Sequence, residues 1–131
     1  MQNIDIPIYS KEDFDGMRKA GSLAAEILDK LQILIKPGIS TLDINNFCHK
    51  IIKDNNAIPA PLNYKGFPKS VCTSVNHVVC HGIPSQHKIL QNGDIINVDV
   101  TVIVNGWHGD SSRMYVAGKI NKKIYKLIRT T

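Results

Sequence analysis

The residues with the clearest chemical potential are two aspartates, Asp99 and Asp110, on either side of an Asn-Gly pair in the segment NVDVTVIVNGWHGDSS (97–112). Asn-Gly between alternating apolar runs predicts a two-residue hairpin turn, because a type I′ turn requires positive φ at both central residues. With this pair at the turn, Thr101 faces Asp110, and Asp99 lies diagonally from Asp110 on the same sheet face. The Cβ atoms of the two aspartates are then ~6–8 Å apart.

Two carboxylates held this close together repel each other unless a cation lies between them. Oxygen ligands from adjacent strands suit a divalent metal, and their spacing suits a shared two-metal site. His81 and His108 flank the same polar face, and aspartate is otherwise disfavoured in strands. The alternative interpretation is an ordinary amphipathic hairpin with hydrated carboxylates. The sequence favours the metal site.

The overall composition is ordinary for a soluble globular domain: 131 residues, 43% hydrophobic and 21% charged, with a net charge of +5. This length predicts a single domain with its own core. No apolar run approaches the ~20 residues that a membrane span needs, and the N-terminal segment 1–7 lacks the basic and apolar parts of a secretory signal. The three cysteines form no CxxC pair, so they predict neither a disulfide framework nor a thiolate zinc site. We therefore expect a cytoplasmic protein with reduced thiols.

The C-terminal end of the sequence is rich in basic side chains and has no acidic ones; the basic residues are Lys119, Lys122, Lys123, Lys126 and Arg129. Such a group can contact nucleic acid. No RNA- or DNA-binding motif accompanies it, however, and the aromatics are too few for a base-stacking surface. We interpret the group as the solvated face of a helix and expect no specific nucleic-acid partner.

Capping residues and periodicity predict two helices before the hairpin. Ser10 and Asp13 form a capping box at the start of a long amphipathic helix, which the Lys-Pro-Gly sequence at 36–38 ends. A second helix begins at Ser40 or Thr41 and ends at the following Asn-Asn pair.

Less regular structure is predicted between the second helix and the hairpin. Three prolines and a glycine in segment 57–69 exclude a helix and predict an extended loop. Segments 70–75 and 77–80 predict two short strands, and Asn92-Gly93 predicts a turn. After the hairpin, Asn121 caps a short final helix.

Four blocks of sequence, in order and at matching spacing, resemble the bacterial type I methionine aminopeptidases: YKGFPKSVC (64–72), NHVVCHGIP (76–84), NGDIINVDVT (92–101) and GWHGDSS (106–112). The resemblance implies an α/β (α+β) architecture called the pita-bread fold, in which two similar halves enclose a dinuclear metal site. Residues 1–131 would then be a single, incomplete domain: the N-terminal half of that fold, with two helices and an antiparallel sheet.

The family's metal ligands are two Asp, one His and two Glu. By resemblance, Asp99 chelates one metal ion and Asp110 bridges both. The other ligands belong to the family's second half, beyond the end of this sequence, and no Glu occurs here after Glu26. We therefore expect two divalent ions (cobalt, manganese, iron or zinc) as cofactors. The 131-residue chain alone, a partial sequence or a truncated product, would have too few ligands to hold them tightly.

The resemblance also implies roles around the metals. His81 corresponds to the family's catalytic, substrate-contacting histidine, and Tyr64, Phe67 and Cys72 correspond to walls of the methionine pocket. The implied function is metal-dependent removal of the N-terminal methionine from nascent proteins, by a cytoplasmic monomer near the ribosome with no membrane contact. The alternatives are an inactive remnant or a non-catalytic binding module of the same fold, either of which could associate with the ribosome. His108 is interpreted as a surface histidine.

Overall fold

The computed structural model describes residues 6–131, which form helices packed on an antiparallel sheet. In chain order the elements are α1 (Lys11–Leu31), α2 (Thr41–Asp54), β1 (Ile58–Pro59), a 3-10 turn (Tyr64–Gly66), β2 (Cys72–Val75), β3 (Asp94–Val104), β4 (Trp107–Ala117) and α3 (Lys122–Thr130). Residues 1–5, part of the N-terminal segment in which no secretory signal is predicted, lie outside the described residues. Within residues 6–131, no helix combines the length and apolar character required to cross a membrane. The predicted mixture of helices and an antiparallel sheet is confirmed.

The hairpin of β3 and β4 has the register predicted from its turn. Asn105 and Gly106 have φ angles of 49° and 85°, the positive values that the predicted turn requires. Thr101 pairs with Asp110 across the strands. The opposite face of β3 is apolar and fully buried; its residues are Ile96, Val98, Val100 and Val102. One face of the hairpin is therefore core, and the other is free to form a site.

β1 and β2 both pair with the same edge of β3, whereas β4 occupies the other edge. Ile58–Pro59 pairs with the strand at Val102 and Ile103, and Cys72–Val75 pairs further along, from Asp99 back to Ile96. Residues 60–71 therefore leave the β3 edge and rejoin it a few residues away. The extended loop predicted for 57–69 thus contains a short strand and a 3-10 turn, and it lies beside the polar face of the hairpin.

The capping residues predicted from sequence begin the helices. The Ser10 hydroxyl accepts a hydrogen bond from the Asp13 N–H at 3.3 Å, and the Asp13 carboxylate accepts one from the Ser10 N–H at 2.8 Å. Ser40 begins α2 with the same arrangement, and the Asn121 side chain accepts the Ile124 N–H at the start of α3. Local hydrogen bonding therefore fixes where these helices begin.

The predicted end of α1 at residues 36–38 is wrong, since the helix ends at Leu31. The N–H groups of Leu34 and Ile35 both donate to the Leu31 carbonyl, at 3.0 and 3.1 Å, and form a turn. This turn buries Ile35 in the core at 8% exposure. Pro37 would stop the helix in any case. The turn that buries Ile35 ends it earlier.

Residues 77–80 were predicted as a strand, and this prediction is also wrong. Asn76 has a φ of 53°, and the Val78 N–H donates to the Val75 carbonyl at 3.1 Å, which makes a turn directly after β2. The side chain of Val79 is 94% exposed. The adjacent valines suggested a strand, but in the described part of the chain they pair with none.

α1 packs directly against β4. A Cβ atom added at Gly109 would lie 2.2 Å from the backbone carbonyl carbon of Ala20, so the helix can approach this closely only because residue 109 is glycine. Further along the helix, the buried Tyr115 hydroxyl donates to the Leu28 carbonyl at 2.5 Å. These contacts fix the hairpin with its apolar face against the helices and its polar face outward.

Candidate active site

An open cleft of about 970 Å³ lies over the polar face of the β3–β4 hairpin. Its walls come from the β1–β2 loop, from β2 and from the loop that follows β2. All the site residues predicted from sequence line it: Tyr64, Phe67, Cys72, His81, Asp99 and Asp110. The fold therefore brings together residues that are far apart in the chain.

The two aspartates form the floor of the cleft on adjacent strands. Asp99 is half-buried and pairs with Cys72 on β2. Asp110 is exposed, and its Oδ1 accepts a hydrogen bond from the Thr101 hydroxyl at 3.0 Å. Burial, followed by the negative charge of Asp110, raises the pKa of Asp99 above its ordinary value, and His81 opposes the shift. The carboxylates are thus close enough for Asp110 to disfavour the charge of Asp99, as the hairpin register predicted.

This pair fits part of a metal site. Carboxylate oxygens are suitable ligands for a divalent cation, and a cation would remove the repulsion between Asp99 and Asp110. A catalytic metal usually has three or more protein ligands. In residues 6–131, no group of three or more His, Cys, Asp or Glu side chains is placed to hold a metal ion. Asp99 and Asp110 are therefore chemically suitable metal ligands, but in the described residues they are too few to complete a site.

His81 lies on the loop after β2 in an unusual backbone conformation, with a φ of 55°. The next residue, Gly82, fixes it there: its carbonyl accepts the Thr73 N–H at 2.8 Å, and its N–H donates to the Ser74 hydroxyl at 3.2 Å. A Cβ atom at Gly82 would lie 2.1 Å from the Thr73 oxygen, so only glycine permits this approach. β2 therefore holds the backbone beside His81 tightly while the imidazole remains exposed to the cleft.

The other predicted residues form a mostly apolar wall. Phe67 is half-buried, and Tyr64 is 65% exposed near the cleft mouth. The Phe67 N–H donates to the Tyr64 carbonyl at 2.9 Å and closes the turn that carries both rings. Burial, followed by the negative charge of Asp99, raises the pKa of the Cys72 thiol to about 11. The Cys72 thiol is therefore neutral at pH 7 and is not activated as a thiolate.

The cleft also contains residues that were given no role from sequence, among them Lys65, Ile83 and Ile103. His108 is exposed and lines the cleft, because it lies two residues before Asp110 on the same strand face. Its position beside the polar face of the hairpin agrees with the prediction from sequence. Lys65 and Ile83 lie on loops, where no periodicity indicates which way a side chain points.

Comparison with known proteins places this site in a family. A model of metallopeptidase family M24 matches residues 15–131. The chain is 58% identical to the methionine aminopeptidase of Rickettsia prowazekii over 96% of its own length and 48% of the relative's. The crystal structure of that enzyme covers the same share of this chain with a TM-score of 0.94, and 50% of the crystal chain is matched.

More distant structures agree on the fold. The methionine aminopeptidase of Thermotoga maritima is 32% identical, with a TM-score of 0.92 over 96% of this chain and 51% of that one. A prolidase from Pyrococcus furiosus, 22% identical, has a TM-score of 0.73 over 91% of this chain and 34% of its own, and shares the fold alone. The predicted pita-bread fold is confirmed.

The chain spans about half the length of the curated relatives that it matches. The matched region nevertheless includes nearly every described element, and it contains the entire cleft. The chain therefore belongs to metallopeptidase family M24, and within that family it resembles the methionine aminopeptidases.

Proposed function

We propose that this chain forms the N-terminal part of a methionine aminopeptidase domain, an enzyme that hydrolyses the first peptide bond of polypeptides beginning with methionine. One observation carries the proposal: a carboxylate pair, a histidine and an apolar wall converge on one cleft. This combination provides a place for cations, a hydrogen-bonding group for the reacting bond and a pocket for an apolar side chain. Proteins named methionine aminopeptidase are the relatives with which it shares 48–58% identity.

Asp99 and Asp110 would be ligands of the two divalent ions (cobalt, manganese, iron or zinc). The Thr101 hydroxyl, 3.0 Å from Asp110 Oδ1, would fix the orientation of the Asp110 carboxylate. The remaining ligands, one His and two Glu by resemblance, would come from sequence that this chain does not contain. When bound, such a pair of ions supplies Lewis-acid activation of the attacking water and of the peptide carbonyl.

The protein side chains would bind and orient the substrate. Tyr64, Phe67 and Cys72 would contact the methionine side chain, and the neutral state of the Cys72 thiol suits that apolar contact. His81 would be the catalytic residue that hydrogen-bonds to the scissile amide and stabilises charge as it develops there. Because Gly82 is anchored to β2, the imidazole would start from a fixed backbone position.

The cellular setting follows from the same proposal. The substrates would be nascent polypeptides with an N-terminal methionine, and the enzyme would act as a cytoplasmic monomer close to the ribosome. The basic residues of α3 support proximity to ribosomal RNA only through their charge.

The test is release of methionine from the peptide Met-Ala-Ser in the presence of manganese or cobalt. Residues 1–131 would be assayed alone and after refolding with the part of the Rickettsia prowazekii relative that this chain does not match. We expect release from the mixture, loss of release with EDTA, and none from the chain alone.

The outcomes separate the proposal from its alternatives. A purified complex of the two parts that binds metal but releases no methionine would indicate an inactive remnant or a binding module. Metal-dependent release by residues 1–131 alone would contradict the assignment of ligands, because another residue here would then complete the site.

A further inference from the structure

Lys65 is a cleft residue that the proposed chemistry does not use. It lies between Tyr64 and Gly66 in the 3-10 turn and lines the same cleft as the aspartates. Its φ is 48° and that of Gly66 is 84°, both in the left-handed region. The Asn63 N–H donates to the carbonyl of Phe67 at 2.8 Å and closes the turn around them. The backbone of Lys65 is therefore well fixed beside the cleft.

The ammonium group of Lys65 has no carboxylate within 4.0 Å in the part of the chain that the structure describes, whereas Lys30 and Lys50 are each paired with an acid at 2.5 Å. Instead, its Nζ lies 5.5 Å from the centre of the Tyr64 ring. This contact favours a position over the ring, and the side chain remains exposed. The Lys65 ammonium group is thus held near the Tyr64 ring and is available to bind an anion.

The position of Lys65 limits which part of a substrate it can meet. The floor of the cleft is formed by Asp99 and Asp110, and an apolar wall is formed by Phe67 and Cys72. A lysine ammonium suits neither a metal site nor a methionine pocket. Lys65 is exposed and lies next to the exposed Tyr64, so it borders the open side of the cleft, where a peptide longer than its first bond would leave.

We propose that Lys65 is a specificity residue that favours peptides carrying a carboxylate downstream of the first peptide bond. The inference rests on the proposed function, because that function sets the direction of the peptide. The carboxylate could be an acidic side chain or the C-terminus of a short peptide. Exposed ion pairs are weak, so we expect about a threefold preference for acidic over basic peptides. High salt would reduce it, since the Debye length falls to about 3 Å at 1 M.

The test measures peptide binding to residues 1–131 without metal, in EDTA, by NMR titration of the isotope-labelled chain. The probes are Met-Ala-Asp-Asp amide and Met-Ala-Lys-Lys amide, and the quantity compared is the ratio of their Kd values. We expect Lys65→Met to bring the ratio close to one, Lys65→Glu to invert it, and Lys65→Arg to retain it. Lys122→Met is the matched control, because it removes the same charge from α3, away from the cleft, and should retain the wild-type ratio.

A second comparison identifies the source of the carboxylate. Met-Ala-Ser as the free acid and as the amide differ only in the C-terminal charge, so a preference for the acid that disappears in Lys65→Met assigns the C-terminus. Equal affinities for acidic and basic peptides, no binding of any peptide, or an equal loss of preference in Lys122→Met would each overturn the proposal. Binding with the expected preference but without turnover in the complete enzyme would contradict the proposed function and leave the charge preference standing.

Discussion

The two faces of β3 differ in what they contribute. Toward the helices, Val98 and Val100 are fully buried, and burial of each such side chain stabilises the fold by roughly 1.5–3 kcal/mol. Toward the cleft, Asp99 and Thr101 lie on the alternate positions, and Asp99 is placed where burial and a neighbouring carboxylate oppose its charge. The same strand thus gains stability on one face and loses some on the other. An unfavourable arrangement kept by an otherwise well-packed strand is a sign of function.

The largest expected effect is on the cleft face. In the two-part assembly proposed above, Asp110→Asn removes a negative charge that would hold the metals. Methionine release should fall by about a thousandfold or more, equivalent to roughly 4 kcal/mol. The control is Asp54→Asn, which changes an exposed helix carboxylate paired with Lys50 and should stay within about twofold of wild type. Near-normal methionine release by Asp110→Asn would contradict a functional role for the cleft face.

A core-face change should act on folding instead. Ile96→Ala leaves a cavity at a position with 0% exposure and should lower the free energy of unfolding by about 2–5 kcal/mol. Its neighbour on the cleft face, Asn97→Ala, should cost less than about 1 kcal/mol because only a 3.3 Å hydrogen bond to Ser112 is lost. Urea unfolding followed by circular dichroism measures both variants. Equal losses of unfolding free energy in the two variants would show that the two faces contribute equally to stability.

Tyr115 tests the core face on β4. Tyr115→Phe removes the hydrogen bond to the Leu28 carbonyl and should cost about 1 kcal/mol. Burial raises the pKa of Tyr115 to about 12, above its ordinary value of 10. Between these values the folded chain binds more protons than the unfolded chain, so its stability falls as pH rises. Urea unfolding should show that the free energy of unfolding falls less between about pH 9 and about pH 11 in Tyr115→Phe than in the wild type. Identical losses in the two proteins would contradict the role of this hydroxyl.

The smallest expected effect has the opposite sign. In the metal-free chain, Asp99→Asn removes charge repulsion and should raise the free energy of unfolding by roughly 0.2–1 kcal/mol. Because burial and Asp110 raise the pKa of Asp99 above 3.8, the wild type should regain stability as pH falls into the range between that value and the raised pKa. Asp99→Asn should lack this gain. Urea unfolding in EDTA at several pH values measures it, and a destabilised Asp99→Asn would show that the carboxylate supports the fold.

Local signals explain the parts of the fold that the sequence predicted correctly. The Asn105-Gly106 turn determines a hairpin register by itself, because only a few residue pairs accept two positive φ angles. Capping boxes at Ser10 and Ser40 likewise depend on residues within one helical turn. The shared face of Asp99 and Asp110 followed from that register.

Non-local contacts explain the rest. Nothing in the sequence pattern shows that β1 and β2 pair with the same edge of β3, yet this pairing places the Tyr64 loop beside Asp99. The valines at 78 and 79 have high strand propensity, but a strand also needs a partner. The catalytic role expected for His81 therefore depended on resemblance to a family rather than on periodicity.

Gly109 shows how adjacent positions can obey unrelated constraints. It lies between two cleft residues, but a side chain at this position would collide with a backbone carbon of Ala20 on the other side of the sheet. A deep mutational scan would therefore score Gly109 and Asp110 as equally intolerant neighbours for different reasons. Variants at Gly109 should lower the cellular abundance of the protein, whereas variants at Asp110 should accumulate normally and fail only in turnover.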